Sequence, residues 1–209
     1  MDSSLSERLQ EAFGVPAFPD GLFFEFDFAL RFELAGDTRG GPARFLTAMD
    51  RARAVLAALF ADRTEITVIA REFADQGSAP HESPIFEGLA GVGFEHSFFR
   101  HEVRPMASDD VRMEEDQVGI CILHEAVMAP DAADFARLLW TPLATDMGVH
   151  PRVSGLSGVY LVDFERRVAV WPYDDRGMDV VAADASVIGP LAARFPDWLM
   201  GQRFGAKDS

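Results

Sequence analysis

The chain has 209 residues, with 19 lysines and arginines against 34 aspartates and glutamates, for a formal net charge of −15. A composition 48% hydrophobic and 11% aromatic excludes a chain disordered over most of its length, and a single cysteine excludes a disulfide scaffold. The acidic balance, with Lys207 the only lysine, argues against nucleic acid and anionic membranes as partners, and no apolar run is long enough to span a bilayer.

The N-terminal MDSSLSERLQEAF has neither a basic nor an apolar leader region, so no signal peptide and a cytoplasmic location are expected. Leu5 to Phe13 reads as a short helix, and Pro16 and Pro19 punctuate the loop after it. In LFFEFDFALRFEL, the even positions from Leu22 to Leu34 are all apolar, which predicts one long strand with a bend near Asp27. Its even-numbered side chains should be buried and its charged odd-numbered ones exposed or paired. Pro42 opens an amphipathic helix through Phe60, with Phe45, Met49, Ala52, Leu56 and Leu59 at helical spacing. Glu65 to Arg71 alternates as a second strand, so strand, helix and strand suggest a crossover unit.

Residues 73–115 read as a divergent, loop-rich insertion. Asp75 to Pro84 forms a loop, and Phe94 to Val103 is a candidate strand. Asp109, Asp110, Glu114, Glu115 and Asp116 then crowd beside Arg112, which reads as a solvated acidic stretch. Val118 to Met128 is apolar and β-branched and should be a strand inside the sheet. A helix follows from Pro130, with Pro142 expected to interrupt it and Thr141 to cap a restarted piece ending at Gly148. Val159 to Phe164, Val168 to Tyr173 and Met178 to Ala182 form an antiparallel meander. Asp184 caps a last helix containing Pro190, and the tail after Met200 should fray. The whole reads as a single α+β domain over residues 1–209. Its sheet is mainly antiparallel, of six or seven strands, with about three packed helices and a C-terminal meander followed by a helix.

Two stretches carry a family resemblance. The segment from Leu143 to Leu199, with YDDRGMDVVA before a helix and a DW pair, and with TDMG before a GVY strand, resembles the bacterial domain-of-unknown-function family 3885. RFELAG and RFLTAMDRARAVLAALF near the N-terminus are similar to it as well, while residues 73–115 are not. The resemblance implies a shared fold and a bacterial source, and it brings no known activity. The C-terminal meander and helix are also similar in pattern to the SMI1/KNR4-like immunity proteins, which bind and neutralise toxins.

The residues that carry chemistry form few constellations. Asp174-Asp175-Arg176-Gly177 sits between two strands. Asp early and a left-handed Gly177 late would suit a type I turn, the structural reading. With Asp179, the same carboxylates could hold Mg²⁺ or Ca²⁺ through oxygen, and Arg176 could pair with a carboxylate or phosphate. Glu25, Asp27, Arg31 and Glu33 share one strand face, which is more often salt-bridged than catalytic. His124-Glu125 imitates the start of a zinc-protease helix, but Met128 stands where the second histidine belongs. His96 and His101 have no third ligand, and Cys121 lies in an apolar run. Trp140, Trp171 and Trp198 should anchor the core, or Trp171 should mark a recognition spot. No phosphate-binding loop and no nucleophile elbow occurs.

The expected function is therefore a non-enzymatic, acidic protein-binding module that captures a basic protein, immunity being one instance. No cofactor and no metal are expected, and Asp174, Asp175, Arg176, Asp179 and the Asp109–Asp116 stretch are the candidate binding residues. The alternative is a metal-dependent enzyme using Asp174, Asp175 and Asp179.

Overall fold

A computed structural model describes residues 3–75, 100–105, 119–130, 132–144, 147–150 and 156–205. The helices are α1 (Leu5–Phe13), α2 (Leu22–Glu25), α3 (Gly41–Leu59), α4 (Ala132–Ala144) and α5 (Ala185–Arg194). The strands are β1 (Phe28–Glu33), β2 (Ile66–Asp75), β3 (Arg100–Pro105), β4 (Gly119–Met128), β5 (Leu156–Asp163), β6 (Val168–Asp174), β7 (Gly177–Ala182) and β8 (Leu199–Phe204). They form one eight-stranded sheet in the order β3-β4-β2-β5-β6-β7-β1-β8. Every neighbouring pair is antiparallel. β1 and β2 therefore run the same way with β7, β6 and β5 between them, and α3 is the crossover that joins them.

Local chemistry explains the elements. Ser4 and Glu7 form a reciprocal capping box at the start of α1, and Gly14 ends the helix in the left-handed region at φ 75°. Asp184 accepts the Ser186 N–H and caps α5. The expected meander is present, with β5, β6 and β7 adjacent in space as in sequence.

The sheet is covered on both faces. On one, α3, α4 and α5 bury Phe45, Leu56, Leu139 and Ile188 against Leu30, Phe32, Leu161, Val170 and Val180. On the other, α1 and the segment through α2 bury Leu5, Leu9, Phe18 and Leu22 against Ala29, Ile69, Tyr160, Val162 and Val181. Two-sided burial explains why β4 and β7 read as nearly continuous apolar runs.

Four expectations need correction. The long strand over residues 22–34 is a short helix, α2, followed by the shorter β1. Leu22 and Phe26 lie four apart, so they satisfy a helical period as well as a period of two, and the Phe26 N–H donates to the Leu22 carbonyl. Phe24 is consequently 59% exposed, while Leu30, Phe32 and Leu34 are buried as expected. Pro142 does not divide its helix. It lies in the last turn of α4, where its missing N–H leaves one carbonyl, that of Leu138, without its helical donor, and the helix runs on to Ala144. The tail after Met200 does not fray but forms β8, paired with β1 from Phe28–Phe204 to Phe32–Leu199. This edge strand raises the sheet above the expected six or seven strands. Of the candidate strand at 94–103, residues 100–103 fall in β3, while 94–99 and most of the remaining insertion lie outside the described residues. Among the described residues no helix is long and apolar enough to cross a membrane.

Candidate functional site

The acidic turn joins β6 to β7 through a two-residue link, Asp175-Arg176, with Asp174 paired to Gly177. The register shifts between Pro172 and Asp174, so Tyr173 is an extra residue, a bulge. Gly177 does not have the expected left-handed backbone; it is absent from the positive-φ glycines and is the first residue of β7, paired with Glu33 as well. Its glycine has another cause. A Cβ there would stand 1.9 Å from the Tyr173 hydroxyl oxygen, 2.5 Å from its Cζ and 2.9 Å from the Phe32 carbonyl oxygen. The bulge folds the tyrosine ring over the strand, and only a residue without a side chain leaves room for it.

Each of the three aspartates meets its own arginine. Asp174 accepts the Arg176 backbone N–H at 2.7 Å and its Nε at 2.7 Å, which closes the turn on itself. Asp175 pairs with Arg44 of α3. Asp179, 0% exposed, receives Arg31 Nε at 2.7 Å and Nη2 at 2.8 Å in a two-pronged pair, with the Phe23 N–H donating at 3.0 Å. That hydrogen bond from Arg31 to Asp179 raises the guanidinium pKa above its usual value, against the opposing effect of burial. Asp175 turns toward the α3 face, whereas Asp179 turns toward the α2 face. The three carboxylates thus do not converge. Among the described residues no three His, Cys, Asp or Glu side chains are grouped to hold a metal ion. Asp109, Asp110, Glu114, Glu115 and Asp116 lie outside the described residues.

The sequence reading missed a row of aromatic rings and arginines on the α1–α2 face. Arg71 lies over Tyr160 at 5.6 Å, Tyr160 stacks on Trp171 at 6.1 Å, and Trp171 meets Tyr173 at 5.3 Å. Arg31 continues the row, 5.4 Å from Tyr173, 5.1 Å from Phe23 and 4.5 Å from Phe24. Arg71 is only 7% exposed; it donates to the Phe18 carbonyl and the Ser157 hydroxyl at 3.1 Å each and pairs with Asp20. Trp171 is therefore half-buried between two tyrosines rather than displayed. Burial pushes the Tyr173 hydroxyl up to about 12, with Arg31 opposing, and raises Tyr160 further. Among the described residues the Tyr160 hydroxyl has no hydrogen-bond partner, and it lies beside Gly158, where a Cβ would stand 3.2 Å from it. The available signal was an arginine inside the apolar run ITVIAREF, which a buried strand tolerates only with partners.

The remaining candidates are structural pairs. His124 and Glu125 are strand neighbours: His124 Nε2 lies 2.8 Å from Glu72, while Glu125 pairs with Arg8 of α1. Cys121 is a buried thiol outside any disulfide. Of the polar face read around β1, Arg31 holds Asp179, Glu33 is 3.9 Å from Arg51, and Asp27 is 3.5 Å from Arg203. Glu25, at the end of α2, is exposed. A groove of about 360 Å³ lies between α3, α5 and the β5–β6 turn, with Leu59, Val187 and Leu191 beneath Arg166 and Arg194.

No curated protein and no solved structure matches the chain. The family model described as Domain of unknown function (DUF3885) matches residues 5–202. That match runs from the N-terminal helix through the crossover and the meander into the first part of β8, and the chain belongs to the DUF3885 family.

Proposed function

We propose that this protein is a binding module without chemistry of its own, which captures a basic protein partner through its excess of carboxylates. The observation that carries the proposal is how the charge is distributed. The three aspartates around the acidic turn are each neutralised by an arginine, so they add nothing to the attraction of a partner. The chain nevertheless has a net charge of −15, and its densest run of carboxylates is Asp109, Asp110, Glu114, Glu115 and Asp116. A field of that sign speeds encounter with a cationic surface and is screened by salt over about 8 Å at physiological ionic strength. Neutralising a toxin, as an immunity protein does, is one instance of such capture.

The test is affinity capture from the native cell extract at low and high salt. Wild type is compared with two variants: one with the five carboxylates of 109–116 changed to Asn or Gln, the other Asp175→Asn. A basic partner retained at low salt, released at high salt and lost by the five-residue variant but not by Asp175→Asn supports the proposal. A neutral or acidic partner, or capture indifferent to the five substitutions, overturns it.

A further inference from the structure

β8 lies at one end of the sheet, and among the described residues no strand pairs with its outer side. One hydrogen bond fixes which of its backbone groups face outward. The Gly205 N–H donates to the Asp27 carbonyl at 3.1 Å, one step beyond the Phe28–Phe204 pair. Residues of an antiparallel strand turn their N–H and C=O alternately to one neighbour and the other. Gly205, Arg203 and Gly201 therefore face β1, and Phe204 and Gln202 face away from it. Side-chain exposure alternates in step: Met200, Gln202 and Phe204 are exposed, while Leu199, Gly201 and Arg203 are half-buried. Met200 is the extra residue where the register shifts opposite Arg31 and Phe32.

We propose that two copies of the chain associate through β8, antiparallel about a two-fold axis at Gln202, to make one continuous sheet. An outward-facing residue pairs only with another outward-facing residue, which leaves every second register. The register that sets Gln202 opposite its own copy also sets Met200 opposite Phe204 at both ends. Those side chains are 63% and 46% exposed in the single chain, large values for apolar groups, and the pairing removes both from water. The same register sets Arg203 opposite Gly201, which has no side chain to obstruct it. Arg203 is held inward, donating to the Phe23 carbonyl at 2.9 Å and the Phe24 carbonyl at 2.8 Å. β8 contains no carboxylate, so this edge escapes the repulsion that the net charge imposes elsewhere. It also lacks the lysine or proline by which exposed edges commonly resist pairing.

Sedimentation velocity over a concentration series tests the proposal. The expected result is a concentration-dependent shift from 23.0 kDa toward twice that mass. Met200→Lys combined with Phe204→Lys should weaken the association at least about tenfold. Both positions are exposed, so the variant's melting curve at low concentration should stay that of wild type and report an intact fold. The register has its own test: under mild oxidation Gln202→Cys should cross-link between chains faster than Phe204→Cys, with buried Cys121 silent in wild type. A chain that stays monomeric throughout, leaving the edge to a foreign strand, overturns the proposal. So does a dimer indifferent to the two lysines, or faster cross-linking at position 204.

Discussion

The two faces of the sheet are covered by layers of different chemistry. The α3–α4–α5 face is mainly aliphatic and aromatic, with the Arg44–Asp175 pair of α3 at the acidic turn, and Leu30, Phe32, Val170 and Val180 meet apolar helix side chains. The α1–α2 face buries one member of each of three ion pairs: Asp179 with Arg31, Arg71 with the exposed Asp20, and Glu125 with Arg8. Its covering helices are short, with α2 only four residues long. A helix that short presents little apolar area, and the pairs tie it down instead, as where the Phe23 N–H of α2 donates to Asp179. The first face is held by area and the second by matched partners. Area fails gradually as atoms are removed, whereas a buried pair fails at once when one member goes.

The largest effect is expected on the apolar face. Phe32 is fully buried there, so Phe32→Ala should lower unfolding stability by about 3–5 kcal/mol in denaturant titration. Phe28, packed only partly against the same core, should lose clearly less when changed to Ala. Equal losses would break the comparison at its first point.

Asp179→Ala should cost about 3 kcal/mol, because it leaves Arg31 and the Phe23 N–H facing an uncharged hollow. Replacing both members, Arg31→Met with Asp179→Leu, should recover most of that loss if the pair serves to hold α2 rather than to add net stability. A double variant no better than the single one would contradict the reading of this face.

Gly177→Ala should cost about 1–3 kcal/mol through its collision with Tyr173. The penalty should shrink in a Tyr173→Ala background, though not vanish, since the Phe32 carbonyl also crowds the site. An additive double variant would reject the close-approach explanation.

The smallest effect appears only in alkali. Burial holds the Tyr173 proton more tightly in the folded chain, raising its pKa from 10.0 to about 12. The unfolded chain therefore ionises first, and the stability this tyrosine contributes is complete below pH 10 and lost as pH rises toward 12. Tyr173→Phe should flatten that decline while leaving its start unchanged in direction, because Tyr160 is shifted the same way. An unaltered pH profile would show that Tyr173 ionises as freely folded as unfolded.

What could be read in the sequence follows from the same contrast. The apolar face was legible because its signals are periodic: α3, the meander and α5 appear where spacing and caps placed them. β1 was legible from residue 28 onward, where Leu30 and Phe32 face a real core. Upstream the period of two misled, because spacings of four satisfy strand and helix alike. β8 was missed because its half-buried positions, Leu199, Gly201 and Arg203, are not all apolar, so LMGQRF shows no period of two in hydropathy. The acidic turn was located as a structural turn, but its glycine was misexplained: Gly177 makes room for the Tyr173 ring instead of supplying a left-handed residue. Its aspartates invite a metal in sequence, and only the fold places Arg44 and Arg31 beside them on opposite faces. The aromatic and arginine row was illegible, since Arg71, Tyr160, Trp171 and Arg31 come from four different strands whose order the sequence does not state.

The central claim is that the excess of negative charge, and not the arginine-matched turn, recruits a basic partner. The most direct measurement is the association rate constant of the captured partner against ionic strength, by stopped-flow mixing. The account predicts a rate that falls steeply with salt for wild type and for Asp175→Asn, and a slower, flatter dependence when the five carboxylates from Asp109 to Asp116 are made neutral. A rate independent of salt, or one that collapses with Asp175→Asn and ignores the five substitutions, would contradict it.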